Sequence, residues 1–276
     1  MRRCLIIDNP EVSSWLRDGP CLRDCEVDTA LGRADALQHL RERSFDVVMT
    51  SPHSSVGEDL ALLREMRLIR PGLRTIVLAS AATPEDVIAA LRAKVFACFT
   101  QPFVREEIVT MAARALEETN WRDGIEVLSA QRDWIALRVA CGLLTAERLV
   151  RFMTELGSDL PDPMRAELIM AFREMLLNAM EHGAGFDSEK VIEVAAVRTE
   201  RAIVYHFRDP GPGFHRDALP HAAIANPPDQ PLGHVEHRAA QGLRPGGFGI
   251  LIASQLVDEL SYNETGNEVL LIKHTR

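Results

Sequence analysis

The sequence predicts two α/β domains, a doubly wound parallel sheet followed by a helical layer on a mixed sheet. Its 276 residues suit two domains of about 100–200 residues each, and its hydrophobic share of 46% is ordinary for chains that bury a packed core. Short β-like runs alternate with helical patterns in the first half, whereas the second half mixes long helices with strand pairs and ends in a hairpin. We expect the domains to span residues 1–120 and 125–276.

Five β-like runs in the first domain predict strands, and three amphipathic segments between them predict helices. A closing helix from Val104 has Ile108, Met111 and Ala115 at helical spacing, so it can cover one face of the sheet. The strands are Cys4–Ile7, Glu26–Thr29, Asp46–Thr50, Thr75–Ala79 and Val95–Phe99, and the helices are Ala34–Arg43, Glu58–Arg70 and Glu85–Ala93. Five strands with intervening helices imply a parallel sheet.

The domain boundary is predicted at residues 117–124, which interrupt the apolar periodicity and end in an Asp-Gly turn dipeptide. Beyond it, Thr145 is predicted to cap a helix to about Leu156, and Asp162-Pro163 to open a long helix through His182. The remaining elements are the strands Ile135–Ala140, Val191–Val197, Ala202–Phe207, Glu259–Asn263 and Glu268–His274, and the helix Phe248–Val257. Together they predict a two-layer α/β sandwich.

Charge and composition exclude several classes of protein. The formal charge of −9 and the pI near 5.5, without a Lys/Arg run, argue against a nucleic-acid partner. No run approaches ~18 apolar residues, so we expect a cytoplasmic protein without a membrane span. Five cysteines indicate reduced thiols, and Cys21-x-x-x-Cys25 lacks the second ligand pair of a metal site. Partners are expected to be proteins and small molecules.

The most informative stretch of the second domain is the end of its long helix. Glu174, Asn178, Glu181 and His182 form a polar stripe, because residues four and seven to eight apart share a helical face. Two glycine-rich segments follow, 209–213 and 246–249. Glycine allows close backbone approach, and the second segment precedes an apolar helix whose free N–H groups can receive phosphates. The three motifs predict a nucleotide pocket.

These motifs resemble the N box, the Asp-x-Gly-x-Gly box and the second glycine box of the GHKL superfamily, most closely its anti-sigma factor serine kinases. The resemblance implies the GHKL (Bergerat) ATP-binding fold, with ATP and Mg²⁺ as ligands. It also implies that Asn178 coordinates Mg²⁺, that Asp209 accepts the adenine amino group, and that Glu174 is the general base. The further nucleotide-binding residues that it implies are His182, Gly211, Gly213, Arg244, Gly246, Gly247 and Gly249.

The segment Phe214–Leu243 lacks a regular period and resembles the lid of these ATP sites. It contains prolines and four histidines, His215, His221, His234 and His237, none of them in a pair with a fixed helical frame. We therefore expect an ATP lid there and no zinc site.

The first domain resembles a flavodoxin-like two-component receiver whose catalytic positions are depleted. Asp8 ends the first strand, but Ser51 occupies the place of the phosphate-accepting aspartate and Gln101 the place of the lysine. A hydroxyl cannot form an acyl phosphate, and a neutral amide cannot neutralise a phosphoryl oxygen as lysine does. We therefore expect a pseudo-receiver. The resemblance also implies a cis peptide bond before Pro102.

The leading hypothesis for function is an anti-sigma-type protein serine/threonine kinase regulated by the pseudo-receiver. Its partners would be a small antagonist protein, a sigma factor or another signalling protein, and the apolar helix around Ile108 is the candidate surface for a homodimer. One alternative is a nucleotide-gated binding module in which Glu174 is dispensable, and another is ATP hydrolysis alone. The first domain is open to a second interpretation, as a folding or dimerisation module.

Overall fold

The computed structural model describes residues 2–19, 25–118, 121–213 and 247–275. The chain divides into two compact units. The first comprises Met1–Asp123 and Arg151–Gly157, and the second comprises Gly124–Val150 and Ser158–Arg276. In the described part of the chain, no helix is long and apolar enough to cross a membrane.

A five-stranded parallel sheet forms the centre of the first unit, as the sequence predicts. Its strand order is β2-β1-β3-β4-β5, so β2 is added on one side of β1 and the later strands are added on the other side, from β3 onward. This order is the flavodoxin-like doubly wound topology. The strands are β1 (Arg2–Ile7), β2 (Cys25–Ala30), β3 (Val47–Met49), β4 (Arg74–Ala79) and β5 (Ala97–Thr100).

Five helices cover this sheet, and local capping determines where several of them begin. A capping box between Ser55 and Glu58 starts the third helix, and Thr83 with Asp86 starts the fourth. Sequence analysis missed the first helix, which Asn9 caps by accepting the Val12 N–H. The helices are α1 (Pro10–Arg17), α2 (Arg33–Glu42), α3 (Val56–Ile69), α4 (Pro84–Arg92) and α5 (Arg105–Glu117).

A six-stranded antiparallel sheet forms one layer of the second unit, whereas the sequence predicted a mixed sheet. Its order is β10-β11-β9-β8-β7-β6, and every neighbouring pair is antiparallel. The strand Ile125–Gln131 was not predicted; a register shift between Val127 and Ser129 interrupts its alternation. The strands are β6 (Ile125–Gln131), β7 (Trp134–Ala140), β8 (Val191–Arg198), β9 (Ala202–Arg208), β10 (Glu259–Tyr262) and β11 (Glu268–His274).

Among the described residues of this unit, three helices accompany these strands, and two predicted helix starts are wrong. The helix α6 (Leu143–Leu156) begins before Thr145, because the Gly142 carbonyl already accepts the Ala146 N–H. The helix α7 (Asp162–Asn178) begins at Asp162 rather than after it, and the Asp162 carboxylate pairs with Arg165 at 2.5 Å instead of capping. The third helix is α8 (Gly249–Leu256).

The α7 helix packs on the inward face of the second sheet. Its Phe172 ring lies 5.0 Å from the rings of Tyr205 and Phe207 on β9, and all three are buried. Burying such aromatic groups stabilises the layer contact by several kcal/mol, roughly 3–5 for a full Phe side chain by truncation. This packing sets the distance between α7 and the sheet, and it thereby positions the C-terminal end of α7, which carries the predicted site residues.

Candidate functional site

The C-terminal end of α7 carries Glu174 and Asn178, one turn apart on one side of the helix. Both side chains lie beside the first residue of α8. A Cβ atom added to Gly249 would stand 2.9 Å from Glu174 Oε2 and 3.1 Å from Asn178 Nδ2. The structure therefore brings the N-box residues and the second glycine box together, and a side chain at position 249 would fill the space between them.

The α-helical part of α7 ends at Asn178, earlier than the predicted end at His182. The chain continues as a π-helical turn over Ala179–Gly183, in which the Ala184 N–H donates to the Ala179 carbonyl at 3.0 Å. Single π turns widen a helix and are frequent at functional sites. Here the turn brings Gly183 against the Asp209 side chain so closely that a Cβ atom on Gly183 would overlap the carboxyl group.

Asp209 lies directly after β9 and is held from two sides. Its Oδ1 accepts the Gly211 N–H at 2.8 Å, and its own N–H donates to the Asn267 carbonyl at 3.0 Å. Burial raises the pKa of the Asp209 carboxyl, while the Gly211 N–H acts in the opposite direction. Among the described residues no donor bonds to Oδ2, so this oxygen can accept a hydrogen bond from a ligand.

The turn before β11 completes this side of the site. The Asn267 amide donates to the Asp209 carbonyl at 3.5 Å, so Asn267 holds the backbone of the Asp-x-Gly-x-Gly segment. Gly213 has φ +75°, and a side chain there would overlap the Thr265 carbonyl. Sequence analysis predicted only that a hairpin connects the last two strands. The contact of its turn with the Asp-x-Gly-x-Gly segment joins residues that are far apart in the sequence, so no local pattern indicates it.

The first backbone N–H groups of α8 have no acceptor within the helix itself. Its N-cap residue, Phe248, makes no side-chain capping hydrogen bond. The first hydrogen bond of the helix runs from the Ile252 N–H to the Phe248 carbonyl. The preceding Gly247 has φ +91°. Free N–H groups at a helix start, with the positive end of the helix dipole, favour phosphate oxygens.

The remaining predicted site residues divide into two groups. His182 lies exposed in the π turn, and Glu174 is 24% exposed with its Oε1 3.2 Å from Arg173 Nη1. Arg244, Gly246, the predicted lid and its four histidines lie outside the described residues, as does Cys21. Within the described ranges, no group of three His, Cys, Asp or Glu side chains is placed to hold a metal ion.

The first unit has its own cleft at the carboxyl ends of β1 and β3, where the strand order reverses. The cleft encloses about 310 Å³ and is lined by Asp8, Arg33, Ser51 and His53, among others. Ser51 is 8% exposed and accepts the His53 N–H at 3.1 Å. Gln101 follows β5, and its bond to Pro102 is cis, as predicted.

A carboxylate from α3 lies beneath this cleft. Asp59 is 2% exposed and accepts hydrogen bonds from Thr50 Oγ1 at 2.7 Å and Ser54 Oγ at 2.5 Å. Burial raises the pKa of Asp59 to about 6, and the two hydroxyl donors only partly offset that effect. Sequence analysis did not single out Asp59, because it is one of two acidic residues in the first turn of α3, where acidic side chains are common.

With this geometry established, the chain can be compared with known proteins. Residues 143–273 match the family described as "Histidine kinase-like ATPase domain". This part of the chain is a histidine kinase-like ATPase domain. The match includes the N-box residues, Asp209 and the start of α8, and the family implies ATP binding. It confirms the predicted fold class of the second domain.

Several solved structures that resemble the chain are receiver domains or response regulators. A CheY-like receiver domain protein from Methanospirillum hungatei has 20% identity and a TM-score of 0.37, over 42% of this chain and 94% of that one. Response regulators from Clostridium difficile and Thermotoga maritima have 16% identity each and TM-scores of 0.38, over 44% and 43% of this chain and all of theirs. No curated protein matches the sequence. The receiver-like fold of the first unit follows from its own strand order.

Proposed function

We propose that the chain is an ATP-binding signalling regulator that transfers the γ-phosphoryl group of ATP to a protein serine or threonine, as anti-sigma factor kinases do. The observation that carries the proposal is the convergence of Glu174 and Asn178 on the start of α8, with Asp209 anchored at the end of β9. A carboxylate, an amide oxygen and free backbone donors are the groups that phosphoryl transfer requires for positioning and charge neutralisation.

Each part of the site has a role in nucleotide binding. The free Oδ2 of Asp209 accepts the adenine amino group, and the first N–H groups of α8 donate to phosphate oxygens. The Asn178 Oδ1 atom is a hard oxygen ligand beside that helix start, so Asn178 fits Mg²⁺ and would be the residue that holds it. Bound there, Mg²⁺ would supply neutralisation of the phosphate charge.

In the transfer step, Glu174 accepts a proton. As the acceptor hydroxyl oxygen forms its bond to the γ-phosphorus and the bond from that phosphorus to the ADP oxygen breaks, the hydroxyl proton passes to the Glu174 carboxylate. The side chain is part-buried and adjacent to Gly249, so a hydroxyl approaching phosphates bound at α8 lies within its reach.

One observation favours a second candidate function. The Arg173 guanidinium lies 3.2 Å from Glu174 Oε1, so one carboxylate oxygen is engaged in an ion pair with a neighbouring side chain instead of facing the start of α8. In that reading the domain is a nucleotide-gated binding module: ATP binds through Asn178 and Asp209, a protein partner docks, and no phosphate moves.

The first unit supports a regulatory role without phosphorylation of its own. At the carboxyl end of β3 the chain presents the Ser51 hydroxyl, and Gln101 follows β5, so the acyl phosphate chemistry of receivers has no acceptor there. We include in the proposal that this unit is a pseudo-receiver, and that the protein partners are an antagonist and a sigma factor or another signalling protein.

The proposal is tested by incubating the protein with Mg²⁺ and γ-labelled ATP in lysate of its source cells, then treating labelled proteins with acid and with base. Acid-stable label on another protein, lost in Glu174→Gln, is the expected result for a serine/threonine kinase. Glu200→Gln, in the exposed turn between β8 and β9, is the matched control and should label like the wild type.

Three other outcomes contradict the kinase proposal, each differently. Acid-labile label indicates transfer to histidine or aspartate. Phosphate release without any labelled protein indicates ATP hydrolysis alone. ATP binding that Asp209→Asn weakens, with neither label nor phosphate release, supports the gated binding module.

A further inference from the structure

The cleft of the first unit, at the carboxyl ends of β1 and β3, has no part in the phosphoryl transfer proposed for the second unit. Its volume of about 310 Å³ lies at the lower end of the ~300–1,000 Å³ that is typical of small-molecule pockets. Ile7 and Leu62 give the cleft an apolar wall, and polar side chains line the rest. The hydrogen bonds that these polar groups have not yet made indicate which ligand would fit.

Two of the three carboxylates that line the cleft are already hydrogen bonded. Glu58 accepts the Ser55 N–H and the Ser55 hydroxyl at 2.8 Å each. Asp59 accepts the hydroxyls of Thr50 and Ser54. These carboxylates therefore act on a ligand through their charge, and a negative potential in a cleft favours a cationic group.

The third carboxylate, Asp8, has its hydrogen-bonding capacity free. Its backbone N–H donates to the Ala30 carbonyl at 2.8 Å, which fixes the residue at the end of β1. Among the described residues, no donor bonds to the exposed Asp8 side chain, which lines the cleft. An ammonium group carries three N–H donors and a positive charge, so it is the group that best matches this carboxylate.

On the β3 side of Asp8, Ser51 supplies a donor. Ser51 lines the cleft and is only 8% exposed. Its Oγ accepts the His53 N–H at 3.1 Å, but its own O–H has no acceptor among the described residues. A buried donor without an acceptor costs free energy, and an acceptor on a ligand in the cleft would satisfy it.

On the β2 side of Asp8, the start of α2 supplies backbone donors. Its N-cap residue, Gly32, makes no side-chain capping hydrogen bond, and the first bond of the helix runs from the Ala36 N–H to the Gly32 carbonyl at 2.9 Å. The N–H groups before Ala36 have no acceptor within the helix. The Asp35 carboxylate is engaged with the Leu31 N–H at 2.8 Å. A Cβ atom on Gly32 would meet no atom within 4 Å, so the space beside this helix start is open.

The Arg33 side chain adds a cation to the same end of the cleft. One of its N–H groups pairs with Glu65 on α3, and a guanidinium has five donors, so others remain. A carboxylate is the group that a helix start and a guanidinium both bind well. The cleft thus combines one free anionic acceptor with free donors on either side of it.

We propose that this cleft binds a free amino acid with a polar side chain. The ammonium group lies at Asp8, the carboxylate at the start of α2 and Arg33, and a side-chain acceptor at the Ser51 hydroxyl. The strand order places β1 between β2 and β3, so the outer donors lie about 10 Å apart. Two hydrogen bonds of about 2.9 Å leave roughly 4 Å between the two acceptors, the distance across a short polar side chain.

This inference does not rest on ATP binding or on kinase activity. It gives the first unit a chemical input that requires no phosphorylation. The test is calorimetric titration of the full-length chain, without nucleotide, with each of the common amino acids. At least one with a polar side chain should bind with a dissociation constant below about 1 mM. The amine that lacks its carboxylate and the hydroxy acid that lacks its ammonium group should each bind at least about tenfold more weakly.

Two variants locate the ligand. Asp8→Asn should raise the dissociation constant at least about tenfold, and asparagine tolerates the φ of +44° at this position, so the fold is kept. Asp18→Asn, the same change at an exposed residue after α1, should bind like the wild type. Ser51→Ala should reduce the preference for the best polar amino acid over an apolar one of similar size at least about fivefold, without weakening the apolar one.

Four results would overturn the proposal. The first is that no amino acid binds. The second is binding that Asp8→Asn leaves unchanged, since the ligand would then lie elsewhere. The third is an amine that binds as tightly as its amino acid, because the start of α2 would then take no carboxylate. The fourth is thermal stabilisation by Mg²⁺ alone that Asp8→Asn removes, without binding of any amino acid, which would make Asp8 part of a metal-ion site instead.

Discussion

At the scale of single residues, the proposed role of Asp209 in adenine binding can be tested directly. Its Oδ1 is occupied by the Gly211 N–H, and its free Oδ2 accepts the adenine amino group in the proposed complex. In Asp209→Asn the side-chain oxygen can still accept the Gly211 N–H, but the new side-chain NH₂ group faces the adenine amino group. Both of these groups are donors, so no hydrogen bond forms between them. A lost hydrogen bond to a charged group costs about 1.5–3 kcal/mol, so the dissociation constant for ATP should rise about 10- to 100-fold by calorimetry.

Two comparisons make this result specific to adenine. Asp162→Asn, an exposed carboxylate at the start of α7, should bind ATP like the wild type. Weak binding of GTP should change little in Asp209→Asn, since guanine has no amino group at the same place. An ATP affinity within threefold of the wild type would mean that Asp209 does not contact the base.

Asp59 supports a prediction about pH. Its pKa is about 6 in the folded chain against 3.8 for an ordinary aspartate, because burial disfavours the ionised form. The folded state therefore binds more protons than the unfolded state between these values, and its stability falls as pH rises from about 4 to about 6. The loss is on the order of 2–3 kcal/mol and persists at higher pH.

Asp59→Asn removes this dependence while keeping a group that Thr50 and Ser54 can hydrogen bond. Urea unfolding at pH 5 and pH 7.5 should show a smaller difference between the two conditions for Asp59→Asn than for the wild type. Asp18→Asn, an exposed carboxylate after α1, should retain the wild-type difference. Equal pH dependence in all three proteins would contradict the assignment of Asp59.

At the scale of elements, the contact between α7 and α8 can be tested at one atom. In Gly249→Ala the new methyl group stands 2.9 Å from Glu174 Oε2 and 3.1 Å from the Asn178 amide, so one of the two site side chains must move. ATP binding should weaken at least about tenfold, because displacement of a binding group by about 1 Å removes its hydrogen bonds.

The matched control lies in the other unit. Gly57 also occupies the first turn of a helix, α3, and a Cβ atom there meets no atom within 4 Å. Gly57→Ala should leave ATP binding unchanged and raise stability by up to about 1 kcal/mol through lower unfolded-state entropy. ATP binding by Gly249→Ala that matches Gly57→Ala would place the phosphates away from α8.

At the scale of the whole molecule, sequence patterns predicted what local spacing determines. Alternation of strands and helices predicted the fold class, and the order of the three motifs predicted a nucleotide site in the second domain. The helix at Pro10–Arg17 was missed because it is short, and β6 because a register shift after Val127 disrupts its period. The contacts of Asn267 and Gly183 with Asp209 depend on strand register and on a π turn, which no local pattern encodes.

Local sequence patterns also do not predict which segments of the chain belong to the first unit. Residues 151–157 end the α6 helix, yet they belong to the compact unit of the first 123 residues. The buried Glu155 carboxylate accepts the Thr100 N–H at 3.3 Å and the Thr100 hydroxyl at 2.6 Å, and it pairs with Arg151. Arg151 in turn lies 4.9 Å from the Phe99 ring centre. These contacts complete the end of β5.

Glu155→Ala should therefore destabilise the first unit more than replacement of the half-buried Glu147, which lies on the part of the same helix that belongs to the second unit. Removing Glu155 leaves the N–H and the hydroxyl of Thr100 without their acceptor, whereas Arg151 keeps its pair with Glu107, so the cost is at most the ~3–5 kcal/mol of a broken buried ion pair. Hydrogen exchange of the β5 amides in the full-length chain measures this locally, and the Thr100 amide should exchange at least about a hundredfold faster in Glu155→Ala. Glu147→Ala, two turns earlier on α6, is the control. Equal protection of Thr100 in the two variants would show that the first 123 residues form β5 without the α6 segment.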